Sequence, residues 1–225
     1  MTPPVFVIAA ADLSAASAGD VVRLDGTEGR HAASVRRMGV GEELTLVDGD
    51  GNRADGSVSA VHDRQSLDVL VAKVHHEPTP RPSAVVVQAL PKGERGELAV
   101  ELLTEVGVDV IVPWAAATCV TQWNSERRER GLRRWRDAAR AAGKQARRAR
   151  FPVVETLATT ADVVARVQAA AVAVVFAAAA AGAQTYPTGT DPRDATVAQL
   201  LTAQTAAAAA VRIGRRWPRS VKVTP

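Results

Sequence analysis

One cysteine, Cys119, is all the chain has among 225 residues, so no internal disulfide can form and a reducing compartment is the simpler expectation. Aromatic residues make up only 4%. No apolar run reaches the ~20 residues of a membrane span, and even 169–181 is mostly alanine. The opening MTPPVFVIAA has no cationic stretch and is no secretory signal. A cytoplasmic protein without a membrane segment is therefore expected. Nucleotide-binding glycine loops, a nucleophile elbow and H-E-x-x-H are all missing. Metal spacing is missing too: His75 and His76 are adjacent on a strand and point to opposite faces. No metal is expected. With 47% hydrophobic and 23% charged residues, the composition excludes a disordered chain, a collagen-like fibre and a disulfide scaffold.

What is present in excess is arginine, and in one place. The formal charge is only +4. Residues 126–150, however, hold ten Arg and one Lys against Glu126, Glu129 and Asp137. That segment carries +8 and the rest of the chain −4. Pairs such as Glu126–Arg130 and Glu129–Arg133 suit a solvated helix face, yet three acids cannot neutralise eleven bases. The planar guanidinium donates two parallel hydrogen bonds to phosphate, so salt-sensitive RNA binding is expected here. No helix-turn-helix pattern supports the weaker reading of a DNA-groove helix.

The hydrophobic period divides the chain. Residues 1–76 contain short alternating segments, VFVIA, DVVRL, ELTLVDG, GSVSAVH and LDVLVAKVHH, which predict strands of a small β-barrel with one helical stretch at 31–38. Asp48, Asp50 and Asn52 fall at EF-hand positions 1, 3 and 5. Arg53 and Ser59 occupy the places of the required Gly and Glu, so a turn is the better reading. Three prolines in 77–82 mark a stiff linker. Beyond it, 84–90, 108–113 and 172–176 are nearly continuous apolar runs, as in strands buried on both faces. Leu98, Leu102 and Val106, four apart, predict a helix over 94–106, and 127–150 a long Arg- and Ala-rich one. Strand–helix alternation implies an α/β domain over 83–225 with a parallel sheet. The alanine runs 177–181 and 206–210 are too small to specify a core, although alanine favours helix.

Three ordered segments resemble one family. The first is His31-Ala-Ala-Ser-Val35-Arg-Arg37 with Gly39 and Val47-Asp48-Gly49-Asp50-Gly51; Arg36 stands where Leu is usual. The second runs from Ala89-Leu90-Pro91-Lys92-Gly93-Glu94-Arg95 into Thr104-Glu105-Val106-Gly107-Val108-Asp109 and Pro113. The third is Arg134-Trp135, then Ala141-Ala142-Gly143-Lys144-Gln145-Ala146-Arg147-Arg148 and Pro152. Together they cover about residues 20–155 and resemble the RsmE family, methyltransferases acting on N3 of a uridine in bacterial 16S ribosomal RNA.

The resemblance implies a PUA-like β-barrel, then a SPOUT-type α/β domain with a C-terminal trefoil knot around S-adenosylmethionine. The knot is expected to be incomplete in a chain ending at Pro225. It further implies a homodimer and a partner in 16S rRNA or the small ribosomal subunit. Carried over by position, Arg219 is the candidate catalytic residue, stabilising the N3 anion, while Gly189, Ile213, Gly214 and Ser220 would contact the cofactor. His31, Arg37, Lys92, Arg95, Gln145, Arg147 and Arg148 would hold RNA. For Gln145 a capping or interhelical hydrogen bond is an equal reading, and Glu105 with Gly107 reads as a helix end. Thr190-Asp191-Pro192-Arg193-Asp194 occupies the place of the family's G-P-E-G-G loop, and the later E-T-A is absent. The alternative is therefore a non-catalytic RNA-binding protein of the same architecture.

Overall fold

The computed structural model describes residues 2–117, 119 and 121–170, with the backbone of 173–177 and 208–212. The chain divides into two compact units. One is Met1–Thr79 with Asp137–Pro152, the other Pro80–Arg136 with Val153–Pro225.

The first unit contains β1 (Val5–Val7), α1 (Ala10–Ser14), β2 (Val21–Leu24) and α2 (Gly26–Arg30), which continues as a π-helical turn over His31–Val35. β3 (Glu43–Val47), β4 (Asn52–Val61) and β5 (Leu67–His76) follow. Sheet order is β1-β3-β4-β5-β2, with β1 parallel to β3 and the other pairs antiparallel. Register shifts at Asp55/Gly56 and Val58/Ala60 bend β4. Phe6, Leu24, Leu44, Leu46 and Leu67 fill the core. The Asp48–Gly51 segment is the turn the sequence suggests. Asp48 Oδ1 accepts from the backbone N–H of Asp50 (2.7 Å) and Asn52 (3.0 Å), while Oδ2 accepts from Asn52 Nδ2. The paired histidines find different partners: His75 lies 3.6 Å from Asp55 and His76 2.8 Å from Asn52.

The second unit contains β6 (Val85–Ala89), α3 (Arg95–Glu105), β7 (Val110–Trp114), the first part of α4 (Ser125–Gln145), β8 (Val153–Val154), α5 (Thr160–Gln168), β9 (Ala173–Ala177) and β10 (Ala208–Arg212). Its sheet runs β8-β7-β6-β10-β9. β6 and β7 are parallel, as expected, and β8, a short strand not expected from the sequence, pairs parallel to β7. β10 is not: it lies antiparallel between β6 and β9. The wholly parallel expectation is thus corrected, and three alanines of β10 adopt strand because backbone pairing on both sides overrides their helix preference. The knot expected from the resemblance falls on residues outside those described.

Helix ends follow local chemistry. α3 closes with Val108 N–H on Leu103 O (3.0 Å) and Gly107 N–H on Thr104 O (3.2 Å), a Schellman motif requiring the φ of 94° that Gly107 supplies. Thr159 and Asp162 form a capping box at α5, and the backbone N–H and hydroxyl of Thr159 hold the Asp162 carboxyl below its usual range. The apolar stripe of α3 faces outward: Leu98 and Leu102 are 54% exposed and Val106 77%.

α4 stops at Gln145, short of the expected Arg150, because Arg147 takes a left-handed conformation (φ 58°) and turns the chain back. Gly51 N–H then donates to Ala149 O (3.0 Å) and Phe151 N–H to Gly49 O (2.8 Å). Phe151 packs on Val5, Val7 and Val47. Its ring fits between two glycines. A Cβ on Gly49 would lie 2.6 Å from Phe151 Cδ2, and one on Gly143 would collide with Cδ1. Phe151→Ala is expected to lower stability by about 3 kcal/mol, read as a reduced urea midpoint; an unchanged midpoint would show that 149–151 contribute little.

Candidate nucleic-acid interface

α4 has two unlike faces. Leu132, Trp135, Ala139 and Ala142, spaced three and four apart, are buried. Arg127, Arg128, Arg130, Arg133 and Arg140 are exposed and form no ion pair with a described residue. Arg134 does pair, with Glu97 at 2.7 Å, and Arg136 Nε donates to Val154 O at 3.4 Å. The exposed guanidinium groups present paired hydrogen-bond donors, the chemistry that takes phosphate.

In the first unit, Lys144 Nζ lies 2.6 Å from Glu28 Oε2, both side chains being about one-fifth exposed (22% and 20%). The same ammonium sits 5.2 Å from the Phe6 ring centroid. His31, first residue of the π-helical turn, meets that ring edge-on at 5.9 Å. His31 and the end of α4 thus converge on Phe6, and Gln145, Arg147 and Arg148 follow Lys144 directly. Arg147 is exposed and donates through Nη2 to Pro3 O (2.7 Å) and Thr2 O (3.4 Å). Carbonyl partners fix the guanidinium without neutralising it. Arg150 Nη2 donates to Glu77 O (2.7 Å), and its buried Nε has no partner among the described residues. Gln145 is exposed and makes no side-chain hydrogen bond to a described residue.

Arg37 is exposed just past the π-helical turn, with φ 54°. Lys92 and Arg95 belong to the second unit, exposed around the start of α3, with Gly93 at φ 68° between them. Arg219, Gly189, Ile213, Gly214 and Ser220 lie outside the described residues. Sequence reasoning missed Glu28 and Phe6, and Lys144 as their partner. Glu28 and Lys144 are 116 positions apart, a pairing no local spacing announces. Among the described residues no group of three His, Cys, Asp or Glu could hold a metal, and no helix is long and apolar enough to cross a membrane.

Residues 77–200 match the family model of the RNA methyltransferase domain, and residues 24–72 that of the RNA methyltransferase PUA domain. Ribosomal RNA small subunit methyltransferase E of Mycobacterium bovis is 47% identical over 150 residues, which are 67% of this chain and 57% of that protein. The Bacillus subtilis protein of the same name is 27% identical over 132 residues, 58% of this chain and 51% of that one. The chain spans little more than half the length of these curated relatives. In fold it is similar to a Ribosomal RNA small subunit methyltransferase E from Neisseria gonorrhoeae, solved bound to S-adenosylmethionine. That likeness has a TM-score of 0.59 and 23% identity, over 72% of this chain and 65% of that one.

The cation matched by Glu28 and the two arginines that the family resemblance assigns to RNA should separate by experiment. Lys144→Met strands Glu28 and is expected to cost on the order of 2 kcal/mol of stability while leaving the salt dependence of RNA binding unchanged. Replacing Arg147 and Arg148 by Ala should reduce the slope of log K against log salt by about 1 to 2. Filter binding across a salt series checks both, and an unchanged slope in the double variant would remove this face from phosphate contact.

Proposed function

The chain belongs to the RNA methyltransferase domain family, and from that premise we propose that it methylates small-subunit ribosomal RNA in the cytoplasm, at N3 of a uridine. The observation that carries the reading is the ordered match of a PUA model at 24–72 and a methyltransferase model at 77–200. That order accompanies a helix whose arginines stand largely unpaired. The 47% identity to the Mycobacterium bovis protein supports the choice of ribosomal RNA.

In this proposal residues 1–76 take part in RNA capture, 77–82 link, and 83–225 carry transfer. The exposed arginines of α4 neutralise phosphates; His31, Arg37, Gln145, Arg147 and Arg148 engage RNA on the first unit, Lys92 and Arg95 on the second. S-adenosylmethionine is the donor and supplies an electrophilic methyl group when bound. Gly189, Ile213, Gly214 and Ser220 are its proposed contacts; none is among the described residues, so no donor geometry is derived. Holding the acceptor nitrogen in line supplies much of the rate. The uridine imide is acidic enough to give its N3 proton to solvent while a cation, here Arg219, stabilises the anion; the methyl would leave the donor's sulfonium, which becomes the neutral thioether.

The test is incubation with small-subunit RNA and S-adenosylmethionine, followed by nucleoside mass spectrometry. Appearance of 3-methyluridine is the expected result, and RNA binding without donor binding or transfer would favour the non-catalytic alternative. Gly214→Val is expected to abolish S-adenosylmethionine binding in calorimetry and leave RNA binding nearly intact.

The same proposal pairs two copies of the chain, supported by the outward apolar stripe Leu98, Leu102 and Val106 on α3. Leu98→Glu with Leu102→Glu should convert a dimer to a monomer in light scattering. A parent that is already monomeric would remove the pairing.

A further inference from the structure

Trp123 is the one tryptophan among the described residues that is not deeply buried; Trp114 and Trp135 are each 2% exposed. It sits just before α4, its ring edge-on to Trp135 with centroids 5.6 Å apart and planes at 78°. The fold makes room for it, since a Cβ on Gly131 would lie 2.5 Å from Trp123 Cζ2. The segment around it is tied down on both sides. Thr121 Oγ1 donates to Pro91 O (3.0 Å) and Gln122 Nε2 to Cys119 O (3.0 Å). Asn124 Oδ1 accepts from Arg127 N–H (3.0 Å) at the start of the helix. The indole is thus held in place before any ligand arrives.

Its surroundings are cationic. Arg127, Arg128 and Arg130 follow on the first turns of α4, exposed and without an ion pair among the described residues. The Thr121 bond fastens the segment to the residue preceding Lys92, which is also exposed. On the other side, Trp135 packs against Gly96, next to exposed Arg95. An aromatic ring fixed among unpaired arginines is the composition with which proteins hold unpaired bases, the ring stacking on the base and the cations taking the flanking phosphates.

We infer that Trp123 is the stacking platform for one unpaired base of the RNA, a substrate-positioning residue of the reaction. This rests on the RNA reading above and adds a specific contact to it. The competing role is a lid over Trp135, for which any apolar side chain of similar bulk would serve.

Three variants of the full chain separate the two. Binding is measured with short single-stranded oligoadenylate and oligouridylate, following intrinsic fluorescence. Trp123→Phe keeps an aromatic face and should bind within a few-fold of the parent while losing the RNA-induced quenching. Trp123→Leu still covers Trp135 but offers no π face, and like Trp123→Ala it should bind about ten- to a hundred-fold more weakly. The salt slope should stay unchanged, because no phosphate contact is removed. Equal binding by the Leu and Phe variants, or quenching that persists in Trp123→Phe, overturns the stacking site and leaves the RNA reading standing. A parent that binds neither oligonucleotide nor ribosomal RNA overturns both.

Discussion

The first unit turns on a phenylalanine ring held between two glycines. Gly49 comes from the turn after β3 and Gly143 from the last turns of α4, and neither position tolerates a side chain beside Phe151. With the ring in place, Val5, Val7 and Val47 are covered, the 149–151 backbone pairs with the Asp48–Gly51 turn, and Lys144 reaches Glu28. The left-handed backbone at Arg147 is unfavourable for a residue with a side chain. Its guanidinium bonds to the Pro3 and Thr2 carbonyls help offset that strain. One conformation therefore serves both to end the helix and to present Arg147 at that end.

Much of this architecture could be read from the sequence because its signals are local. Alternating residues give the strands of the first unit, continuous apolar runs give β6 and β7, and Gly107 marks the end of α3. What could not be read depends on long separations or on weak side chains. β10 is mostly alanine, and its place between β6 and β9 comes from backbone pairing. The α3 stripe has helical spacing, but spacing alone does not say which face is covered, and the buried positions are Gly96, Val100 and Thr104. The contribution of Asp137–Pro152 to the first unit left no mark in composition, since the helix keeps one pattern throughout.

The candidate site shows the same division. The Arg-rich helix was legible as a charge excess, and its exposed, unpaired arginines agree with that reading. Lys144 illustrates the converse. It counts toward the positive sum, yet its charge is matched by Glu28 and the Phe6 ring face. Counting charges along a sequence overstates the part available to a polyanion, and the structure separates cations that hold the protein from cations that face outward.

The antiparallel strand between β6 and β9 also bears on how the protein is made. During synthesis β6 emerges well over a hundred residues before β10, and until then the strand Val-Val-Val-Gln-Ala lacks its neighbour on one side. An uncovered apolar strand edge is a template for association between nascent chains. Pairing it only with a segment so distant in sequence makes closure of this sheet a slow, late event. The growing polypeptide thus carries an adhesive edge from the emergence of β6 until β10 follows it, and chaperone protection over that interval is the natural counterpart of that topology.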